Sequence, residues 1–158
     1  MKKTNVIAFV QDLRVSLAMT SLCFLATTAC SGSAPDQETV PGRWYTAAQL
    51  DAGETLYQTF CAACHAADGS ATAEWRTLDA DGNYPPPPLN GTAHTWHHPL
   101  EVLDNTIANG GIELGGIMPG FAEVLSSDDR MAIIAWFQSL WPDDIYARWQ
   151  AINQRSRN

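Results

Sequence analysis

The chain has 158 residues, 46% of them hydrophobic, and this length and composition allow one domain with a single core. Its formal net charge is −8 at pH 7, of which residues 1–29, with three basic residues and one acidic residue, contribute +2. The rest of the chain therefore carries −10, with six arginines and no lysine. This acidic balance argues against nucleic acid or anionic lipid as a partner, and it predicts a partner with a basic docking face.

The first predicted element is an export leader. Lys2, Lys3 and Arg14 precede a mostly apolar run that extends from residue 15 to residue 29. This run is shorter than the ~20 apolar residues that a transmembrane helix needs, so residues 1–29 are predicted to form a signal peptide.

The end of this leader resembles the lipobox of bacterial lipoproteins. Ala29 lies directly before Cys30, and Ser31 and Gly32 follow. In that family the cysteine is lipidated and becomes the mature N-terminus, which implies lipidation of Cys30 and a membrane anchor. Thr27 occupies a position where a leucine-like residue is usual, so the alternative is ordinary signal cleavage near Ala29 and a soluble periplasmic protein.

The first helix of the domain is predicted by its N-terminal signals. Thr46 and Gln49 match the capping-box pattern, and Tyr45 and Leu50 are placed to form a hydrophobic staple around it. The pattern predicts a helix that continues to Phe60, directly before the central motif of the chain.

That motif is Cys-x-x-Cys-His, formed by Cys61, Cys64 and His65, and it is the attachment sequence for c-type haem. The spacing lets both thiols reach the two vinyl groups of one porphyrin, and the next residue is then placed to bind iron axially. A thioredoxin-like redox pair or half of a zinc site could share the two cysteines. A zinc site needs further ligands, however, and Cys23 and Cys30 belong to the leader; a thioredoxin site needs a βαβ setting that the preceding residues lack. The sequence predicts one covalent haem c.

The flanking segments extend this motif into a resemblance to class I cytochromes c. That family begins with a helix that carries a glycine and, four residues later, an aromatic residue; Gly53 and Tyr57 match. Its C-terminal helix crosses the first helix and places an aromatic residue beside the glycine, and Trp136 matches this residue. The resemblance implies an all-α class I cytochrome c fold, a small helical domain around one covalent haem, to which residues 143–153 add an extra C-terminal helix.

Two loops supply the remaining family motifs. Pro87, Leu89 and Gly91 match a Pro-x-Leu-x-Gly segment whose proline carbonyl accepts a hydrogen bond from the proximal histidine, which implies this role for Pro87 toward His65. Such a bond fixes the orientation and tautomer of the imidazole. In the family the distal ligand lies in a Met-Pro loop after the third helix, which implies that Met118 is the second axial ligand.

Several other residues allow alternative roles as ligands or as packing residues. Met131 is the other methionine beyond the leader, but it falls near the start of a helix, where methionine is usually a packing residue. His94, His97 and His98 invite a metal or bis-histidine hypothesis, but Met118 is the better second ligand, and the histidines can instead pack or face solvent ahead of a helix that begins near Pro99. We also consider that Trp96 and His97 line the pocket or hold a haem propionate.

The last helix of the family fold is predicted by spacing. Ser126 to Asp129 form a cap, and Ile133, Trp136, Phe137 and Leu140 repeat at i, i+3, i+4 and i+7, a pattern that predicts one buried face.

The predicted organisation has four parts. Residues 1–29 form the signal peptide, with Cys30 as the mature N-terminus, and residues 30–44 form a flexible tether, because they are small and polar and contain proline and glycine. Residues 45–141 form the cytochrome c domain, and residues 142–158 form a C-terminal helical extension.

The resemblance implies a one-electron carrier in a bacterial periplasmic electron-transfer chain, on the periplasmic side of a membrane, with haem c ligated by His65 and Met118. With both axial positions filled, an enzymatic role is not expected. Two alternatives stay open. One is a gas or peroxide sensor, or an enzyme, in which Met118 dissociates. The other is a tethered binding or assembly factor of a respiratory complex, in which the haem is structural.

Overall fold

The computed structural model describes residues 38–158, and its regular structure in that range is helical, apart from one isolated β-bridge between Thr39 and Thr46. The predicted all-α class is therefore confirmed. The α-helices are α1 (Ala47–Phe60), α2 (Ala62–His65), α3 (Leu100–Asn109), α4 (Ser127–Ser139) and α5 (Asp143–Arg155). Short 3₁₀ turns cover Thr95–His97 and Ile112–Leu114. Within the described range, none of the helices has the length and apolar character that crossing a membrane requires. The predicted signal peptide and Cys30 lie outside the described residues.

Helices α1 and α4 both begin with a capping box, where the sequence predicts a capping box at Thr46 and a cap formed by Ser126 to Asp129. The Thr46 hydroxyl accepts a hydrogen bond from the Gln49 backbone N–H at 3.2 Å, and the Gln49 side chain accepts one from the Thr46 backbone N–H at 3.0 Å. Ser126 and Asp129 make the same reciprocal pair at the start of α4. These bonds satisfy N–H groups that have no partner inside the helix, so they define where each helix starts.

The crossing of α1 and α4 forms the centre of the domain. A Cβ atom at Gly53 would overlap the backbone carbonyl oxygen of Ala132, so only glycine allows the two helices to approach this closely. Tyr57 packs against Trp136 with ring centroids 4.1 Å apart. Glycine inside a helix costs about 1 kcal/mol relative to alanine, and the close crossing is the reason for its presence.

Helix α4 is buried on more sides than the predicted stripe indicates. Every residue from Ala132 to Gln138 is buried, whereas Leu140, predicted to belong to the buried face, is 36% exposed. The physical reason is that α4 contacts both α1 and α3, so the core covers α4 on more than one side.

Helix α5 packs on the domain through Tyr146 and Trp149, which are 3% and 1% exposed. The Trp149 indole N–H donates to the backbone carbonyl of His98 at 3.0 Å, and the Asn153 side chain accepts from the backbone N–H of Leu100 at 2.9 Å. Helix α5 therefore holds the segment that leads into α3.

Candidate haem site

One cleft of about 580 Å³ has the sequence-predicted haem residues on its walls. Cys61, Cys64, His65, Pro87 and Met118 all line it, although they come from the junction of α1 and α2, from α2 itself and from two separate loops. Its volume falls within the range of about 300–1,000 Å³ that is typical of ligand and cofactor pockets. The other walls are largely apolar and include Phe60, Leu89, Leu103, Ile107, Phe121, Ile133 and Phe137. Two thiols, one imidazole and one thioether around an apolar cleft fit a covalent haem.

The end of α1 positions the two thiols. Cys61 closes this helix by donating its backbone N–H to the Tyr57 carbonyl at 2.8 Å, and its own carbonyl accepts from the N–H groups of Cys64 and His65 at 3.1 and 2.9 Å. The two cysteines are not bonded to each other, and Cys64 is exposed. Burial, with a smaller effect from Cys64, raises the pKa of the Cys61 thiol to about 11. A raised thiol pKa is the opposite of what a thioredoxin-like nucleophile needs.

His65 is buried, with 8% of its surface exposed, and hydrogen bonds hold both its ring and its backbone. Its Nδ1 lies 2.9 Å from the carbonyl oxygen of Pro87, so the hydrogen bond expected between these residues is present. Because a carbonyl only accepts, Nδ1 carries the proton and Nε2 keeps its lone pair for a metal. The Tyr57 hydroxyl also donates to the backbone carbonyls of His65 and Ala66 at 3.3 and 3.0 Å. Burial lowers the pKa of His65, and the bond to Pro87 opposes this shift; the neutral form is the one that binds iron.

Two residues that sequence reasoning did not assign to the site hold the proline loop. Trp141 donates its indole N–H to the Leu89 carbonyl at 2.7 Å, two residues beyond Pro87. The Gly69 carbonyl accepts from the backbone N–H groups of Leu89 and Asn90 at 2.7 and 3.2 Å. Trp141 directly precedes Pro142, and its position in the sequence does not indicate a contact with the proline loop. No local pattern marks Gly69.

The loop with Met118 is tied to the end of α3. The Gly111 N–H donates to the Met118 carbonyl at 2.9 Å, and the Phe121 N–H donates to the Ile107 carbonyl at 2.9 Å. Gly110 has φ +75°, and a Cβ atom there would come within 2.5 Å of the Met118 carbonyl oxygen, so glycine is required at this position. Met118 is half-buried and lines the cleft, whereas Met131 lies in α4 and is not among the cleft residues.

The histidine-rich segment differs in part from expectation. His94 and His98 line the cleft, with ring centroids 5.6 Å apart, whereas Trp96 and His97, which were expected there, do not. His97 is exposed and packs against Trp96 instead. Burial and the neighbouring His98 lower the pKa of His94. Between residues 38 and 158, no group of three or more histidine, cysteine, aspartate or glutamate residues could hold a metal ion.

The helical fold and the Cys-x-x-Cys-His cleft define a class I c-type cytochrome domain with a single haem motif. The family model described as cytochrome C oxidase, cbb3-type, subunit III matches residues 48–137, more than half of the chain. The chain belongs to this family. The match supports a covalently bound haem c and a role in haem-based electron transfer.

One curated relative is similar over a short stretch. Thiosulfate dehydrogenase of Allochromatium vinosum is 62% identical over 39 residues, which cover 25% of this chain and 13% of that protein. No solved structure matches the chain.

Proposed function

We propose that the protein is a one-electron carrier on the periplasmic side of a bacterial membrane. Cys61 and Cys64 would hold the haem covalently, and His65 and Met118 would be the two ligands of its iron. The observation that carries this proposal is that His65, with its bond to Pro87, and Met118 lie on the walls of the same apolar cleft as the two cysteines. When bound, the haem supplies reversible exchange of one electron at its iron.

The side chains around the cleft suit this task. The Pro87 carbonyl holds the His65 ring in one tautomer and increases its basicity toward iron. The Met118 thioether favours ferrous iron and raises the reduction potential relative to a second histidine. The apolar walls exclude water, and the exposed Cys64 places one end of the site near the protein surface, where a partner can approach.

The first experiment compares absorption spectra of the reduced protein before and after addition of carbon monoxide. We expect no change in the native protein, because Met118 keeps the sixth position and its loop is anchored to α3. The variant M118A should bind carbon monoxide readily, and M131A serves as the matched control, with the native response. Rapid appearance of a carbonyl spectrum in the native protein would contradict the electron-carrier function and favour a gas sensor or an enzyme.

The acidic charge suggests the docking partner. Ile117 lines the cleft and is 47% exposed, the neighbouring Ile112 is 64% exposed, and Glu113 lies between them in sequence. An exposed apolar contact on a chain with this acidic balance suits a redox protein with a basic face. The rate of electron exchange with such a partner should fall as ionic strength rises.

Location rests on the leader, residues 1–29, which we propose is cleaved before a lipidated Cys30. Mass spectrometry of the mature N-terminus tests this directly. An unmodified Ser31 or a later first residue would show that the lipid anchor is wrong and would leave simple export.

A second candidate is a haem domain that oxidises thiosulfate, favoured by the 39-residue similarity to thiosulfate dehydrogenase. Reduction of the ferric protein by thiosulfate alone, at a rate that saturates with thiosulfate concentration, would support this activity. If thiosulfate does not reduce the protein, the proposed function is electron transfer without thiosulfate oxidation.

A further inference from the structure

Residues 110–126, the methionine loop, carry Met118 and contribute little packing of their own. The loop runs from the end of α3 to the start of α4 and is rich in glycine. Its apolar side chains Ile112, Ile117 and Val124 are exposed. Glycine loses more conformational freedom on folding than other residues, and exposed side chains add few contacts. The conformation of this loop therefore depends on hydrogen bonds and on how its two ends are held.

One arginine bonds to both ends of the methionine loop. On the α3 side, backbone hydrogen bonds from Phe121 and Ala122 hold the loop. On the α4 side, Arg130 donates from Nη1 to the carbonyl of the buried Leu125 at 3.0 Å. The same guanidinium donates from Nε and Nη2 to the two carboxylate oxygens of Asp104 in α3 at 2.7 and 3.3 Å. A single side chain of α4 thus bonds to the end of the loop and to the helix from which the loop starts.

The pair of Arg130 and Asp104 differs in burial from the other ion pairs of residues 38–158. Its side chains are 12% and 24% exposed, whereas Asp143, the partner of Arg43, is 95% exposed, and the pair within α5 is 61% and 67% exposed. Exposed pairs contribute little to stability. A partly buried contact between a guanidinium fork and a carboxylate loses much more when one member is removed, because the other charge is left without a partner.

We propose that Arg130 is a positioning residue for Met118, which keeps the thioether in the haem cleft by fixing the two ends of the methionine loop. The inference rests on the proposed function, in which Met118 is an iron ligand. A bond between sulfur and iron must offset the entropy that is lost when the loop is ordered, and that loss is smaller when the ends of the loop are already held together. Without Arg130, Met118 should be away from the iron in a larger fraction of the molecules.

The test measures the apparent affinity of the ferric, haem-loaded protein for imidazole, at a pH where imidazole is neutral. An external ligand binds only the molecules in which Met118 has left the iron, so its apparent affinity rises in proportion to their fraction. R130Q should increase this affinity by about tenfold or more, the factor that corresponds to the loss of a charged hydrogen bond. The red absorption band of a thioether bound to ferric haem should weaken in parallel. R43Q, which breaks the ion pair at the start of α5, should match the native protein.

The double variant M118A/R130Q shows whether Arg130 acts through Met118. Imidazole should bind M118A and M118A/R130Q equally, because no methionine remains to be positioned. D104N keeps Arg130 and its bond to Leu125, so it should increase the affinity by a smaller factor of about threefold. D104N also carries the same test if R130Q does not acquire haem.

Two results would contradict the positioning role. One is an equal affinity for imidazole in the native protein, R130Q and D104N. The other is an increase that persists in full in the M118A background, which would mean that Arg130 keeps the whole cleft closed. Failure of the proposed function gives a different pattern: the native protein would lack the thioether band, and M118A would bind imidazole as the native protein does.

Discussion

At the crossing of α1 and α4, the backbones themselves meet: Gly53 leaves no space for a side chain against Ala132, and the contact is one of shape. At the end of α4 and in α5, indole N–H groups make the contacts instead, with Trp141 bonded to the Leu89 carbonyl and Trp149 to the His98 carbonyl. Both regions support the haem cleft. The crossing positions α1, which leads directly into the haem motif, whereas the tryptophans hold the loops that line the cleft.

The two regions depend on different kinds of contact. The family match covers the crossing but ends at residue 137, before Trp141 and α5. Close packing between helices is sensitive to volume, whereas a bond from a side chain to a loop carbonyl is sensitive to the loss of one donor. Substitutions should therefore separate stability effects at the crossing from effects on ligand geometry at the loops.

The largest expected effect is that of G53A. Its methyl group would collide with a backbone carbonyl, so the variant should lose about 3 kcal/mol of unfolding free energy, the upper part of the range for overpacking. Chemical denaturation of the haem-loaded protein measures this loss, and E54A, an exposed neighbour in the same helix, is the control. A gain in stability, as helix propensity alone would give, would contradict the close crossing.

The next effect is that of W141F compared with W149F. Each variant leaves a loop carbonyl without its donor, and each should lose about 1–3 kcal/mol in denaturation. Only W141F should also disturb the His65 ring, because Leu89 lies two residues from Pro87, whose carbonyl orients that ring. Electron paramagnetic resonance of the ferric protein reports the ligand geometry. Equal spectral changes in the two variants would show that Trp141 has no specific positioning role.

The smallest effect concerns pH and the cap of α4. Hydrogen bonds from the Ser126 side chain and backbone hold the pKa of Asp129 below its usual value. A carboxyl with a lowered pKa in the folded state stabilises the fold above the unfolded pKa, and the contribution is lost as pH falls through the folded value. The native protein should therefore have a higher Tm than D129N above about pH 5, where an ordinary aspartate is ionised, and the difference should shrink in acid. The control D128N removes the same charge but leaves the capping bonds of Asp129 in place. An equal loss of Tm in D128N would show that charge alone causes the effect.

Local patterns in the sequence predicted local structure well. The capping boxes at Thr46 and Ser126 involve residues three positions apart, so their bonds can be inferred without knowledge of the fold. The haem motif is equally compact, and the resemblance to class I cytochromes c added the Gly53 crossing and the bond between His65 and Pro87. The roles of the predicted haem ligands stay with the proposed function, and the leader and Cys30 lie outside the described residues.

The sequence by itself determined the helical class, the helix starts and the cofactor motif, because each depends on neighbours along the chain. Only the tertiary structure decided that Trp141 and Gly69 hold the proline loop, that His94 and His98 line the cleft in place of Trp96 and His97, and that α4 is buried on several sides. These features depend on groups that lie far apart in the chain and meet only when the helices pack. Hydrogen bonds to loop carbonyls leave no periodic trace in the sequence, because the backbone acceptor is the same at every residue.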